Sequence, residues 1–402
     1  MSTAIPIVIF ILILGIVVFT HELGHYLMAR RAGVFVEEFA LGMGPKLFGF
    51  RGKPKNRKGQ QEHIAWSSSS DYESQEDNEA DSTLYSLRLF PIGGFCKMRG
   101  MEESIPNDPT ALNNKTIPQR MLVMAGGSIF NFIMAFVLFF VLVLLDGYHV
   151  PRVHTIQPDT PAYHAGLIEG DRITHINGRR VALFEDFVTQ LEFSGGQPVD
   201  VRFVRGGQRY TVSITPMRVG GTFRLGFIMD RYFGLLDTVP EGAYRVGFLG
   251  TMVTSAEMII FNMRMPFTLL ARLISGGNLP EGAGVMGPIG MAGEVTVIYQ
   301  QVIGRGILAT FLTMLFFTAL LNAALGVMNL LPIPALDGAR MIFVGIEWAR
   351  GKPINREIEA RIHMIGLLCL MAFVLFVEIN FAIQSWTSGA MSYWSNAPPM
   401  IY

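Results

Sequence analysis

The stretch IPIVIFILILGIVVFTHELGHYLMA, Ile5 to Ala29, decides how the rest of the chain is read. Ile5 to Phe19 holds no charge. With the residues running on to Ala29 it is long enough, at about 1.5 Å per helical residue, to cross a hydrocarbon core of roughly 30 Å. Wound as a helix, it sets His21 and His25 one turn apart on one face, with Glu22 beside them. Ionisable side chains at membrane depth are costly to desolvate and mark functional positions.

The spacing is H-E-x-x-H, in which two imidazoles bind Zn²⁺ and the glutamate sits against the metal. The same five residues arise by chance on soluble surface helices. Here the apolar setting raises the signal, because two histidines and a glutamate in lipid need a compensating cation. A structural or transport metal is the alternative, as are histidines that only cap the helix.

Composition agrees with a membrane location. Of 402 residues, 50% are hydrophobic and 16% charged, against about 25% charged in ordinary soluble domains. The zero net charge gives no electrostatic case for a nucleic-acid partner. Two cysteines, Cys96 and Cys369, in unrelated contexts suit neither a disulfide framework nor a thiolate metal site. The first apolar segment is too long for a signal-peptide core, and removing it would remove the metal motif.

Three further spans follow: Met121 to Leu145, a segment from about residue 307 that ends at Pro332 and Pro334, and His363 to Ile383. In the second span Gly126, Gly127 and Ser128 permit close helix approach. Asn131 there is either interhelical glue or a donor facing the metal. Glu378 in the last span reads as a packing or snorkelling residue. The expected fold is a polytopic α-helical membrane protein with four transmembrane helices and an inserted β-rich domain. Its parts are 1–149, an N-terminal membrane region; 150–216, the β-rich domain; 217–300, a linker with an interfacial amphipathic segment at Ser255 to Ile274; and 301–402, the C-terminal membrane region. Within the first part, Arg51 to Gly59 is basic, and Ser67 to Asp81 reads as a disordered acidic loop. The segment Phe90 to Gly100 reads as a hairpin or edge-forming loop around Gly93-Gly94, able to pair with an extended polypeptide through Gly93, Gly94, Phe95 and Lys97. Gly282 to Gly293 reads as a glycine-rich loop or the start of a helix.

The connection between spans three and four holds Arg340, Arg350, Lys352, Arg356 and Arg361, whereas no Lys or Arg follows Ile383. By the positive-inside rule that connection faces the cytoplasm and both termini face away from it, with the β-rich domain extracytoplasmic. The same topology brings Asp337, just past span three, to the depth of His21 and His25. A catalytic zinc takes three protein ligands and leaves a position open. Asp337 is the preferred third ligand and His363 its competitor. Glu22 is the expected base, and Asn329 or Asn131 an oxyanion donor.

These residues carry a resemblance. HELGH at His21 to His25 and NLLPIPALDG at Asn329 to Gly338 resemble the two metal motifs of the bacterial site-2 proteases, which are intramembrane zinc metalloproteases. FPIGGFCKMRG at Phe90 to Gly100, GPIG at Gly287 to Gly290 and PAYHAGLIEGDRITHING at Pro161 to Gly178 resemble that family's membrane-associated hairpin, the segment before its third span, and its PDZ domain. AGGSIFNF at Ala125 to Phe132 lacks the proline of the family's AGPxxNF form, and Ser67 to Asp81 looks like an insertion. The resemblance implies one Zn²⁺ per chain held by His21, His25 and Asp337, with Glu22 as base and a PDZ-like fold for the β-rich domain. It further implies a bacterial cell-membrane location and cleavage, within the bilayer, of single-pass membrane proteins already cut by a site-1 protease, such as anti-sigma factors or remnant signal peptides. A non-catalytic metal transporter or a PDZ-bearing scaffold is the competing class; a transporter needs further ligand clusters along a path, and a scaffold has no use for Glu22.

Overall fold

The computed structural model describes residues 4–51, 65–67, 82–101, 103, 105–232, 247–276 and 287–387. Most of the basic run, nearly all of the acidic segment and the first residues of the glycine-rich stretch lie outside them. The chain divides into two compact units, residues 1–135 with 286–402, and residues 136–285.

The first unit begins with α1 (Ala4–Arg31), the helix expected from the opening stretch. Its Ile5, Ile7, Val8, Leu12, Ile16 and Phe19 are exposed, while Phe10, Ile13, Val17, His21 and His25 are buried. Each exposed side chain of this size forgoes roughly 1.5–3 kcal/mol in water, so the outer face of α1 has lipid as its solvent.

Next come β1 (Val36–Arg51), β2 (Ala65–Ser67) and β3 (Leu84–Met98). β1 folds back at Gly42 and Gly44, with φ of +87° and +82°, and β3 at Gly93, with φ of +88°. The two bent strands interlock. Residues 39–41 pair on one side with 94–96 and on the other with 85–87, while 48–51 pair with 84–87 and with β2. Residues 84–98 are therefore not a hairpin around Gly93-Gly94, because a piece of β1 separates the two arms. The alternation and the glycines suit either arrangement, and only the distant partner strand decides between them. Among the described residues the arm 94–98 is the outer strand of this sheet.

α2 (Ile117–Asp146) follows, and then the β-rich unit. Its elements are β4 (Tyr148–Ile156), α3 (Pro161–His164), β5 (Arg172–Ile176), β6 (Arg179–Arg180), α4 (Phe184–Phe193), β7 (Val199–Arg205), β8 (Gln208–Ile214), β9 (Met217–Val219), β10 (Thr222–Arg224) and β11 (Phe227–Tyr232). The main sheet runs β11-β4-β5-β7-β8 with β6 on β5, around a core that includes Val153, Ile173, Ile176, Leu191, Val201 and Phe203. Because β11 pairs with β4, the sheet reaches beyond residue 216, the expected end of the β-rich domain. α5 (Phe248–Ile274) is tied to this unit by its charges: Glu257 to Arg180 at 2.7 Å, Arg264 to Asp186, and Arg272 to the carbonyl of Phe193 at 2.6 Å.

The first unit resumes with α6 (Pro288–Val302), α7 (Ile307–Leu330), α8 (Asp337–Arg350) and α9 (Arg356–Thr387). Phe10, Ile13 and Val17 of α1 form a core with Val295 and Ile298 of α6 and Met314 of α7. Glu378 of α9 accepts a hydrogen bond from the Ile289 N–H at 2.8 Å, at the start of α6, so it is a cap that ties two helices. Among the described residues four helices are long and apolar enough to cross a membrane: α1, α2, α7 and α9. The chain is a polytopic membrane protein with an inserted β-rich region.

Candidate metal centre

His21 and His25 share the buried face of α1. Glycine brings α2 against them. A Cβ on Gly24 would fall 2.2 Å from the Gly126 carbonyl oxygen, and one on Gly127 would fall 2.4 Å from Cε1 of His21 and 2.6 Å from Nε2 of His25. Only helices without side chains at these points can close over the two rings.

Asp337 arrives from the far end of the first unit. α7 stops at Leu330, residues 331–336 turn, and Asp337 opens α8 as its first-turn acid. Gly338 lets the turn sit tight, since a Cβ there would lie 2.3 Å from the Leu331 carbonyl oxygen. The result is a convergence of three donor atoms. Asp337 Oδ2 is 3.1 Å from His21 Nε2 and 3.0 Å from His25 Nε2, and the two Nε2 atoms are 3.2 Å apart.

The proton positions test whether a cation fits. His25 Nδ1 stands 2.9 Å from the Val123 carbonyl oxygen, which can only accept, so Nδ1 carries the hydrogen and Nε2 turns its lone pair inward. Asn131, fully buried, lies 3.3 Å from His21 Nδ1, and its Oδ1 has no partner. Turning that amide over gives a His21 Nδ1–H its acceptor and likewise frees Nε2. Two lone pairs and a carboxylate oxygen aimed at one point repel one another until a positive charge stands between them. Two nitrogens and one oxygen are a donor set that zinc accepts, so the residues fit the metal. Each imidazole is also held from behind, as metal-binding histidines are.

Burial, with the charge of Glu22 adding to it, pushes the Cys96 thiol well above its usual value, which removes it as a thiolate ligand.

A cavity of about 690 Å³ opens at the cluster, and His21, Glu22, His25, Asn329 and Asp337 line it. Gly93, Gly94, Phe95 and Lys97 line the same cavity along the outer arm of β3. Glu22 accepts a hydrogen bond from the Cys96 N–H. Gly94 makes room for it, since a Cβ there would fall 3.3 Å from Glu22 Cγ. Asn329 places its amide nitrogen 3.4 Å from His21 Nε2. Asn131 serves the far side of His21 rather than facing the cavity as a donor to substrate. His363 is outside the cluster and accepts the Ala335 N–H at 3.0 Å. Arg340, which the sequence presents only as part of the basic connection between spans three and four, lines the cavity one turn after Asp337; its place three positions along the same helix was the available signal. The Val123 carbonyl and the Cys96 amide are backbone groups and leave no trace in the sequence.

Comparison with known proteins agrees with this chemistry. The model of peptidase family M50 matches residues 9–57 and 76–373. A relative from Clostridium acetobutylicum is 32% identical over 93% of this chain and 96% of its own length. Another from Clostridium perfringens is 30% identical over 93% and 97%. The regulator of sigma-W protease RasP of Bacillus subtilis is 30% identical over 93% and 97%. The matched residues take in α1 with its two histidines and the turn that delivers Asp337, so the convergence of donors seen here is the zinc metalloprotease active site of a member of peptidase family M50.

Proposed function

We propose that this chain is a zinc-dependent intramembrane endopeptidase that cuts single-pass membrane proteins after another protease has removed most of their outer part. The observation that carries the reading is the meeting of His21, His25 and Asp337, with Glu22 beside the histidines on α1, a helix long and apolar enough to cross a membrane. Those three residues would hold Zn²⁺, which would supply a Lewis acid that polarises the scissile carbonyl and acidifies the attacking water. Glu22 then takes the proton from the attacking water and delivers it to the amide nitrogen as the C–N bond breaks, leaving a carboxylate and an amine. Asn329 faces the developing oxyanion from the cavity wall.

A transmembrane helix hides its carbonyls in i to i+4 hydrogen bonds, so the substrate must be extended where it is cut. Among the described residues the outer arm of β3, residues 94–98, pairs with β1 alone, and it lines the cavity. It takes the unwound substrate as an added strand along Gly93, Gly94, Phe95 and Lys97.

The β-rich unit is PDZ-like: an antiparallel sheet with helices α3 and α4, containing the segment Pro161 to Gly178. We place it and both termini outside the cell membrane and the metal centre toward the cytoplasm, on the strength of the basic residues between α7 and α9. From there it acts as a size filter against bulky outer domains. Anti-sigma factors and remnant signal peptides are the substrate classes this reading favours.

The test is a paired cleavage assay on one single-pass substrate, full-length and pre-trimmed, with the zinc-loaded chain and with a deletion of residues 148–232. Wild type should cut only the trimmed form and the deletion both forms. Failure of the zinc-loaded wild-type chain to cut either form rejects the endopeptidase reading. Loss of trimmed cleavage in a folded, zinc-loaded deletion rejects the filter alone and favours recognition of the new C-terminus.

A further inference from the structure

Ala335 stands between the Pro332 and Pro334 breakers and Asp337, and its backbone has φ of +85°. Residues with a β-carbon seldom adopt this left-handed conformation, so something outside the turn must hold it. The Ala335 N–H donates to His363 Nδ1 at 3.0 Å. That imidazole rides on α9 and packs against Phe343 of α8, ring centroids 5.5 Å apart. One helical step away, α9 presses its backbone on the same turn: a Cβ on Gly366 would fall 2.2 Å from Pro334 Cβ and 2.7 Å from the Pro334 carbonyl oxygen. Residues 363 and 366 thus grip 334 and 335 from one face of one helix.

The plain alternative is a half-buried histidine that fills space. Its chemistry argues otherwise. An Nδ1 that accepts leaves the ring proton on Nε2, and that atom is buried without a partner among the described residues. A polar ring that gives up one hydrogen bond in order to make another is an expensive filler, and the bond it keeps ends on the one strained residue beside the third metal ligand.

We propose that His363 is a positioning residue: by accepting the Ala335 N–H it locks the left-handed turn and so aims the Asp337 carboxylate at His21 and His25. The metal centre is then tuned from α9, a helix that contributes no ligand. The inference rests on the metalloprotease reading above.

The full chain in detergent micelles tests it. Zinc affinity by chelator competition and the visible absorption of the Co²⁺ form are read for three variants. His363→Phe keeps a ring for Phe343 but has no acceptor; it should lower zinc affinity by about 10-fold, at the low end of what outer partners of a site contribute, and shift the cobalt bands. His363→Asn carries Oδ1 on Cγ where the imidazole carries Nδ1, and should keep wild-type affinity and bands. Adding Ala335→Gly to His363→Phe should restore affinity, because glycine takes this φ unaided. Unchanged affinity and bands in His363→Phe overturn the proposal. So does His363→Asn behaving as badly as His363→Phe, or failure of Ala335→Gly to restore, since either marks a packing role. A wild-type chain that takes up no zinc overturns the metalloprotease reading as well, and is told apart by the wild-type measurement itself.

Discussion

Arg120, near the start of α2, grips both carboxylate oxygens of Glu347 on α8, at 2.8 and 2.9 Å. The arginine side chain is 6% exposed and the glutamate 21%. The pair fastens the helix that carries Asn131 to the helix that opens with Asp337, so two sides of the metal centre are fixed by a contact at its periphery. Removing one partner of a largely buried pair strands the other charge, and Arg120→Ala should destabilise the chain by about 3 kcal/mol. Equilibrium unfolding in mild detergent measures it, with unaltered stability counting against the pair as a fastener.

Glu22→Gln keeps the shape of the side chain and the His21, His25 and Asp337 cluster but removes the proposed base. Cleavage should fall by about 10²–10⁴-fold with zinc content unchanged, as expected when general-base assistance is lost. The check is a single-turnover rate measured beside metal analysis of the same preparation. A variant that cuts at the wild-type rate would assign the proton transfer elsewhere.

The two shells around the metal should separate by size of effect. Asn131→Ala removes only the partner behind His21, and zinc affinity should drop by roughly 10- to 100-fold. Asp337→Ala removes a ligand and should cost more than that, to the point that purified protein carries little zinc. Chelator competition ranks the two; equal affinities in both variants would contradict the division drawn from the geometry.

Gly127→Ala introduces a single methyl between α2 and the imidazoles. The overlap with His21 and His25 can be relieved only by moving a helix or the rings, which in packed interiors costs typically ~1–3 kcal/mol. Reduced thermal stability together with lost zinc is the expected result. Normal zinc content in this variant would mean that the two helices are not held as close as described.

Single cysteines at exposed positions on β8 should react with a membrane-impermeant thiol reagent added to intact cells, and a cysteine placed within residues 68–81 should react only after lysis. The expectation follows from the basic residues between α7 and α9. The reverse pattern would turn the proposed topology over.

The metal ligands were legible because both motifs are local: four residues set the geometry of His21 and His25, and the Asn-Pro-Pro-Asp-Gly punctuation fixes where α7 stops and α8 starts. Four spans were legible from apolar length alone. The interlocked sheet was not, because the pairing of 39–41 with both arms of β3 joins segments more than 40 residues apart, and period-two alternation cannot name a partner. The reach of the β-rich unit to β11 escaped for the same reason. Asn131 could be seen as a buried amide, but which nitrogen it served depended on how closely Gly24 and Gly126 let the helices approach.

The ligands that meet at one point are separated by 312 and 316 positions along the chain. A ribosome has therefore finished α1, both arms of the interlocked sheet and the whole β-rich unit long before Asp337 leaves the exit tunnel. During all that time the two imidazoles lack the Asp337 carboxylate that completes the donor set. The order of synthesis therefore leaves the site incomplete until α7 is finished and the turn behind it has delivered Asp337. Fragments ending before residue 337, whether from stalled translation or later damage, lack that third ligand.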